Sequence, residues 1–257
     1  MPTLHAVQLD IAWEDKPATF ARIDRLLAQA HPQPNSLIVL PEMFSTGFSM
    51  NVPAIREGAE KPAERYLQSL ATRYRATVVG GVVHDGPAGK ALNQALVFSP
   101  EGQEICRFDK LHPFSLGSED QHYAPGRSIR TFQWAGLTVC PAVCYDLRFP
   151  EQFRAGVDAG AEFFLVIANW PIKRENHWLT LLAARAIENQ AYVLGVNRAG
   201  ADPKFTYGGR SILVDPHGVT RADAGISESV LTTDLDPALV RQWRTDFPAL
   251  RDRTPKP

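Results

Sequence analysis

One cysteine, one lysine and two glutamates in this sequence are of the types that amide hydrolysis uses. Cys144 and Glu42 each stand just after an apolar run, and Lys110 follows a third such run. Glu119 comes nine residues after that lysine. Breaking an amide needs a nucleophile, a group that stabilises the oxyanion and an acid that protonates the departing amine. A thiol, an ammonium and a carboxylate can supply these three functions.

The three cysteines differ in their surroundings. Cys144 ends the apolar run 137–143 and precedes a predicted helix, so its sulfur could point into a cleft near helix N–H groups, where a thiol becomes a nucleophile. Cys140 lies inside that run and Cys106 inside another, which predicts core thiols, and a core thiol is also the alternative for Cys144. An odd number of cysteines cannot close a disulfide framework, which favours a reducing compartment.

Glu42 and Lys110 are the candidate base and the candidate fixed positive charge. Glu42 follows the apolar run 36–40 and Pro41, at the end of a predicted strand, where open α/β sheets usually place their chemistry. We expect partial removal from water to raise its pKa toward the range useful to a general base at neutral pH. The structural alternatives are a cap or ion pair for the glutamate and a solvated charge for the lysine.

Six short motifs follow one another along the chain. They are Leu40-Pro41-Glu42-Met43-Phe44, Phe108-Asp109-Lys110-Leu111-His112, Gly117-Ser118-Glu119, Val143-Cys144-Tyr145-Asp146-Leu147-Arg148-Phe149-Pro150, Asn169-Trp170-Pro171 and Ala186-Ile187-Glu188-Asn189-Gln190. In this order they resemble the nitrilase superfamily of carbon–nitrogen hydrolases, and within it the bacterial omega-amidase branch. Each motif alone would be weak, whereas the combination, over about residues 3–250, is specific.

The resemblance implies a role for each catalytic candidate. Glu42 would take the proton of the thiol nucleophile and later pass it to the leaving ammonia. Lys110 and the main-chain N–H of Tyr145 would form the oxyanion hole. Glu119 would bind Lys110 and help to position the substrate amide, although the adjacent Asp120 could compete for this role.

The resemblance also implies a substrate class. Omega-amidases cleave the terminal amide of 2-oxoglutaramate and 2-oxosuccinamate, giving the 2-oxo acid and ammonia. Such an anionic substrate needs a cationic end to its pocket, for which Arg148, Arg154 and Lys173 are candidates, although Arg148 could instead be an ion-pair partner. Trp170 is the substrate-binding candidate among the aromatic residues, with Phe48 and Phe114 as further walls, and core packing is its alternative role.

Composition excludes several other classes. The 257 residues carry a net charge of −1, and 44% of them are hydrophobic, which predicts a folded chain without an attraction for nucleic acid or anionic lipid. No export signal and no apolar run long enough for a membrane span occur in the sequence. We therefore expect a cytoplasmic protein that binds a small-molecule amide and neither nucleic acid nor membrane.

Strand-like and helix-like segments alternate, which predicts an α/β fold with a mixed sheet or two packed sheets and helices outside. Strands are predicted at 4–9, 36–40, 77–83, 92–99, 103–108, 129–132, 137–143, 163–168, 193–197, 211–214 and 230–233. Residues 1–257 are expected to form one domain. The resemblance implies a four-layer α-β-β-α sandwich of two mixed sheets flanked by helices. It further implies a homodimer joined through helices, and no metal or organic cofactor.

Several alternatives remain open at the level of sequence. A Cys–His hydrolase would pair Cys144 with His112, His177 or another of the seven histidines, and a zinc site would use Cys140 and Cys144. Within the superfamily, a different amidase, a nitrilase or an N-carbamoyl hydrolase would carry the same motifs. An inert binding or scaffold protein would be expected to have lost at least one of the catalytic residues.

Overall fold

The computed structural model describes residues 1–254, which form two six-stranded sheets, a two-stranded ribbon and the surrounding helices. The strands are β1 (Thr3–Gln8), β2 (Leu37–Val39), β3 (Thr77–Asp85), β4 (Ala91–Phe98), β5 (Glu104–Asp109), β6 (Phe132–Trp134), β7 (Leu137–Val143), β8 (Phe163–Ala168), β9 (Tyr192–Asn197), β10 (Ala199–Ala201), β11 (Thr206–Gly208), β12 (Ile212–Val214), β13 (Thr220–Asp223) and β14 (Ser229–Asp234). The α-helices are α1 (Lys16–Ala30), α2 (Val52–Ile55), α3 (Pro62–Tyr74), α4 (Glu119–His122), α5 (Pro150–Asp158), α6 (Glu175–Asn189) and α7 (Pro237–Asp246). Short 3-10 segments lie at Pro87–Gly89, Ser115–Gly117, Cys144–Arg148, Ile172–Arg174 and Ala249–Asp252.

Each sheet has three parallel strands at its centre. The first sheet has the order β14-β1-β2-β3-β4-β5 and the second β13-β12-β9-β8-β7-β6, while β10 pairs with β11. Strands β1, β2 and β3 are parallel, as are β7, β8 and β9, and the remaining pairs are antiparallel. Parallel strands bring their carboxyl ends to one edge of a sheet. The residues that follow β2, and those that follow β7 and β8, therefore lie where a site can be assembled.

The two sheets pack face to face, and helices cover their outer surfaces. On β8, Phe163, Leu165 and Ile167 face the core between the sheets, whereas Phe164 and Val166 pack in the outer core with α5 and α6. Helices α1 and α3 cover the outer face of the first sheet in the same way. Each fully buried apolar side chain of this size contributes about 1.5–3 kcal/mol. The predicted α-β-β-α sandwich of two mixed sheets is confirmed.

The predicted strand at 129–132 is wrong. The strand here is β6, which begins at the last residue of the predicted segment and pairs with β7 through a tight turn. Ala135 and Gly136 in that turn have φ values of 50° and 76°, and Trp134 pairs with Leu137 across it. Because the turn sets the register of a hairpin, it places the strand nearer to β7 than the apolar pattern suggests.

Three strands and one longer helix are among the elements that were not predicted from the sequence. Strand β13 is a mostly exposed polar edge strand, and β10 and β11 are three residues each, so none shows an apolar alternation that indicates a strand. Helix α7 carried a readable signal. Asp236 caps it by accepting a hydrogen bond from the Ala238 N–H, and Pro237 occupies its first turn.

None of the helices within residues 1–254 has both the length and the apolar character needed to cross a membrane.

Candidate active site

Glu42 lies in a turn beyond β2 that is fastened to β3. The Gly81 N–H donates to the Pro41 carbonyl at 3.0 Å, and the Phe44 N–H donates to the Gly81 carbonyl at 3.1 Å. A Cβ atom at Gly81 would come within 2.4 Å of the Met43 nitrogen and 2.6 Å of the Glu42 Cα atom. Only glycine allows this approach, so β3 holds the Glu42 turn against the sheet.

The Glu42 carboxylate belongs to a buried polar cluster with Lys110, Glu119 and Asn93. Lys110 Nζ donates to Glu42 Oε1 at 2.9 Å and to the two Glu119 oxygens at 2.8 and 3.0 Å. Asn93 Nδ2 donates to Glu42 Oε1 at 2.8 Å and to Glu119 Oε1 at 2.9 Å. All four side chains are essentially inaccessible to solvent. The neighbouring Asp120 is exposed, so Glu119 is the acidic residue that reaches Lys110.

The charges in this cluster shift its pKa values in opposite directions. Burial would raise the pKa of Glu42, but the Lys110 ammonium and hydrogen bonds from Lys110, Asn93 and Asn169 outweigh it and hold that pKa below its usual range. The expectation of a raised pKa for Glu42 is therefore wrong. Burial, reinforced by the Glu42 charge, raises the pKa of Glu119. Burial would lower the pKa of Lys110, but the two carboxylates raise it, so this lysine is an ammonium.

Asn169 joins Glu42 to Cys144. Its main-chain N–H donates to Glu42 Oε2 at 2.9 Å, and its side-chain Nδ2 donates to the Glu42 carbonyl at 2.7 Å. The Asn169 carbonyl in turn accepts the Cys144 thiol, with Sγ and O 3.9 Å apart. A residue at the end of β8 thus connects the thiol beyond β7 with the carboxylate beyond β2.

Cys144 is half-buried at the start of the 3-10 segment Cys144–Arg148 and has a φ of 48°. This left-handed conformation is costly for a residue with a side chain and is maintained only where the surroundings hold it. Burial and the charge of Glu42 raise the pKa of Cys144 well above its ordinary value, although Lys110 opposes them. The resting group is therefore a thiol.

The other two cysteines lie in the core, as predicted. Both Cys106 and Cys140 are buried, and burial raises their pKa values to about 11 and about 12. Cys140 lies against α5, since a Cβ atom at Gly156 would come within 3.2 Å of its sulfur.

Neither His112 nor His177, the two histidines named for the Cys–His alternative, bonds to the Cys144 thiol. His112 Nδ1 is 2.8 Å from Asp146 Oδ1, and its ring stacks on Phe149. His177 Nδ1 is 3.1 Å from Arg148 Nη2.

Cys144 lines a pocket whose other lining residues are mostly aromatic or cationic. Its lining residues are Phe48, Phe114, Cys144, Tyr145, Arg148, Asn169, Trp170, Pro171, Arg174, Phe205 and Tyr207. The Arg148 guanidinium lies over the Trp170 ring, with its carbon 5.0 Å from the ring centroid, and that of Arg174 lies over the Phe114 ring at 5.4 Å. Tyr145 packs against Phe114, with centroids 4.9 Å apart.

The pocket contains only one of the three cationic candidates. Arg154 donates to the Glu188 carbonyl and lies near its carboxylate, and Lys173 is exposed outside the pocket lining. Neither Arg148 nor Arg174 has a carboxylate within 4.0 Å among residues 1–254, so the ion-pair alternative for Arg148 is not realised.

Sequence reasoning missed three of the residues that build this site. Asn93 is one of two polar residues, with Gln94, in a strand that is otherwise apolar, and a polar residue at a buried strand position is the only signal it gives. Asn169 lies in a recognised motif, and its position directly after a buried strand could have marked it as a site residue. Arg174 follows Lys173 on the same 3-10 segment, where sequence alone does not show which of the two faces the pocket.

Comparison with known proteins identifies the family of this chain. The family model for carbon-nitrogen hydrolases matches residues 3–245. The chain belongs to the carbon–nitrogen hydrolase family. Omega-amidase YafV of Yersinia enterocolitica is 39% identical over 251 residues, covering 97% of this chain and 95% of that protein. The 2-oxoglutaramate amidase of Bacillus subtilis is 29% identical over 251 residues, covering 97% and 96%.

A solved relative has the same architecture. XC1258 from Xanthomonas campestris, a CN-hydrolase superfamily protein with an arsenic adduct in its active site, is 32% identical and superposes with a TM-score of 0.93. The comparison covers 100% of this chain and 98% of that one. The carbon–nitrogen hydrolase described here is thus a hydrolase of C–N bonds by family and by fold.

Proposed function

We propose that this carbon–nitrogen hydrolase cleaves the terminal amide of a small omega-amido 2-oxo acid, of the 2-oxoglutaramate or 2-oxosuccinamate type. The products are the 2-oxo dicarboxylic acid and ammonia. One observation carries the proposal: the pocket that contains the Cys144 thiol also contains two arginines without a carboxylate partner within residues 1–254. The names of the relatives from Yersinia enterocolitica and Bacillus subtilis support the same substrate class.

The arginines select for an acid amide. Arg148 and Arg174 lie on aromatic rings that turn part of each guanidinium away from water, and a substrate carboxylate would supply the missing counter-charge. In this pose the 2-oxo acid end of the substrate meets the arginines and the omega-amide reaches Cys144. Trp170 and Tyr145 form the walls between them.

The first chemical step moves one negative charge. The S–H bond of Cys144 breaks, its proton passes to Glu42, and the sulfur forms a bond to the amide carbon. The charge that leaves Glu42 collects on the substrate oxygen, where Lys110 and the Tyr145 N–H stabilise it. The pKa of Glu42 lies low and that of Cys144 lies high, so the resting site keeps the proton on the sulfur rather than on Glu42.

In the second half of the reaction Glu42 gives up a proton twice, first to the leaving ammonia and then to the Cys144 sulfur. The C–N bond breaks as Glu42 gives its proton to the leaving ammonia, which leaves a thioester on Cys144. Water then attacks the thioester and gives a proton to Glu42, and the C–S bond breaks as that proton returns to the sulfur. Glu119 remains paired with Lys110 throughout and positions the substrate amide.

Ammonia release from a substrate panel tests the proposal. The panel comprises 2-oxoglutaramate, 2-oxosuccinamate, a neutral aliphatic amide, a nitrile and an N-carbamoyl amino acid, with Cys144→Ala as the blank. We expect the two oxo-acid amides to have the highest kcat/KM. Equal values for the neutral amide would remove the omega-amidase assignment and leave a general amidase. A preference for the nitrile or the carbamoyl compound would reassign the substrate class.

We further propose that the whole chain acts as one catalytic unit in a cytoplasmic homodimer. Glu42 and Lys110 come from the first sheet and Cys144 from the second, which supports a single unit. Ile187 on α6 and Phe247 after α7 are each 55% exposed, and such apolar side chains support a subunit contact. All three cysteines are free thiols, which supports a reducing compartment. Light scattering and cell fractionation test these two assignments.

A further inference from the structure

Asp146 is a fully buried carboxylate that binds two separate segments of the site. Its Oδ2 accepts the Val143 N–H at 3.0 Å. Its Oδ1 accepts both the main-chain N–H of His112 at 3.0 Å and the ring Nδ1–H of His112 at 2.8 Å. Val143 directly precedes Cys144, and His112 lies two residues after Lys110. One side chain therefore joins the segment of the thiol to the segment of the ammonium.

The His112 ring makes a second contact with the same turn. It stacks on Phe149, with the ring centroids 3.8 Å apart and the planes within 9° of parallel. Phe149 follows the 3-10 segment that Cys144 begins, so His112 contacts this segment at Asp146 and at its end. The strained φ of Cys144 makes such support necessary, because an unsupported turn would relax to a conformation of lower energy.

We propose that Asp146 and His112 are positioning residues of the reaction, which hold Cys144 Sγ and the Tyr145 N–H at a set distance from Lys110 Nζ. The proposal rests on the proposed function, because the oxyanion would form between the Tyr145 N–H and Lys110. Neither residue lines the pocket, so neither binds substrate. Their loss is expected to change kcat and leave KM in place.

Three variants separate the contributions of the Asp146 carboxylate, the His112 Nδ1 donor and the His112 ring. Asp146→Asn keeps the shape but turns one acceptor into a donor that faces N–H groups. His112→Phe keeps the stacking ring and removes the Nδ1 donor, whereas His112→Asn keeps a donor near the Nδ1 position and removes the ring. We expect kcat to fall about tenfold to a hundredfold in Asp146→Asn and about tenfold in His112→Phe, with KM within about twofold. His112→Asn should retain more of kcat than His112→Phe, and its remaining loss measures the contribution of the ring.

Asp215 offers a matched control. It too is buried, accepts two main-chain N–H groups, from His217 and Val219, and lies beside a histidine, but it is outside the pocket lining. Asp215→Asn should lose a comparable amount of thermal stability and keep its kcat. If Asp146→Asn does not fold, His112→Phe decides, because it changes one hydrogen bond of a side chain that is one-third exposed.

A second readout does not depend on the substrate. The rate of alkylation of Cys144 by iodoacetamide, followed by peptide mass spectrometry, depends on how the thiol faces Glu42 and Lys110. We expect this rate to fall in Asp146→Asn and His112→Phe and to stay unchanged in Asp215→Asn. Unchanged kcat and alkylation in His112→Phe would overturn the positioning role. If the wild type hydrolysed none of the panel, the proposed function would fail. The alkylation rates would still test whether Asp146 and His112 position Cys144.

Discussion

Three hydrogen bonds join Asn169 to Glu42, although 127 positions separate them in the sequence. The Asn169 N–H and side chain donate to Oε2 at 2.9 and 3.3 Å, and the side chain also donates to the Glu42 carbonyl at 2.7 Å. Glu42 follows β2 of the first sheet and Asn169 follows β8 of the second. These bonds therefore set how the carboxylate of one sheet meets the thiol that the other sheet carries.

Asn169→Ala should lower both stability and turnover. It removes the two side-chain bonds and leaves the main-chain bond, so we expect the free energy of unfolding to fall by about 1–3 kcal/mol. Loss of the bond to the Glu42 carbonyl also frees the Glu42 turn. We therefore expect kcat to fall at least about tenfold, which corresponds to the free energy of the hydrogen bond removed.

Asn189→Ala is the control for this variant. Asn189 is equally buried and donates to the Arg185 carbonyl at 2.9 Å, away from the pocket lining. Chemical denaturation and steady-state kinetics should show a similar stability loss with normal kcat. Similar kcat values for the two variants would count against a role for Asn169 in the site.

Cys144→Ala and Cys140→Ala should have opposite effects. Removing the half-buried Cys144 sulfur should abolish ammonia release and leave the melting temperature nearly unchanged. Removing the buried Cys140 sulfur should cost about 1 kcal/mol of stability and leave activity intact. The reverse pattern in activity and melting assays would relocate the nucleophile.

Lys110→Met should destabilise the protein in a manner that depends on pH. Without the ammonium, Glu42 and Glu119 face each other in a buried site, which should cost about 3–5 kcal/mol at about pH 8. The variant should also lose turnover, because an oxyanion donor is gone. Lys16→Met, which breaks the ion pair with Glu57 away from the pocket, is the control.

The sign of the pH effect follows from the pKa values. In the wild type the pKa of Glu42 is lowered, so its stabilisation is present above the unfolded pKa of about 4.3 and is lost as pH falls through the folded value. Lys110 has a raised pKa, so its stabilisation is complete below about pH 10.4. In Lys110→Met the carboxyl pKa values rise, and their penalty shrinks on protonation. Urea titrations should therefore show a smaller deficit at about pH 5 than at about pH 8, and a constant deficit would contradict this account.

Arg148→Gln and Arg174→Gln should each weaken the binding of acid amides and leave the binding of neutral amides unchanged. Each removes a charged donor to the substrate carboxylate, so KM for 2-oxoglutaramate should rise about tenfold to a hundredfold. KM for a neutral amide should not change. Arg154→Gln, which removes a guanidinium bonded at Glu188 outside the pocket, should leave both values as they are. A rise in both KM values for Arg148→Gln would indicate damage to the pocket wall.

The sequence was sufficient for the elements that are apolar throughout. Strands β7 and β8 have the predicted bounds, because β8 is apolar throughout, β7 is apolar except for Thr138, and both are buried on both faces. The sequence correctly predicted that Glu42 follows a buried strand, but it predicted the wrong direction for the shift of the Glu42 pKa. The burial of Glu42 could be inferred from its neighbours in the sequence. The charge and the hydrogen-bond donor that reverse the effect of burial on its pKa come from residues 51 and 68 positions away.

Side-chain direction was the other limit. Arg154 and Arg174 are both cations near the motifs, yet one donates to Glu188 and the other lies over Phe114. Which of them reaches the pocket depends on the packing of α5 and of the segment before α6, and no local pattern encodes that packing. Asn93 was missed for the same reason, because no local pattern shows that this polar residue of β4 faces the site.

The antiparallel pairing of β14 with β1 joins two strands that lie far apart in the sequence. Thr3 and Asp234 are partners in this pairing, 231 positions apart. While the ribosome extends the chain, β1 has emerged but presents an open edge, and open strand edges invite pairing with other chains. The strand that closes this edge is translated 231 positions later. The first sheet therefore cannot close until β14 has been made, and the edge of β1 stays open in the nascent chain until then.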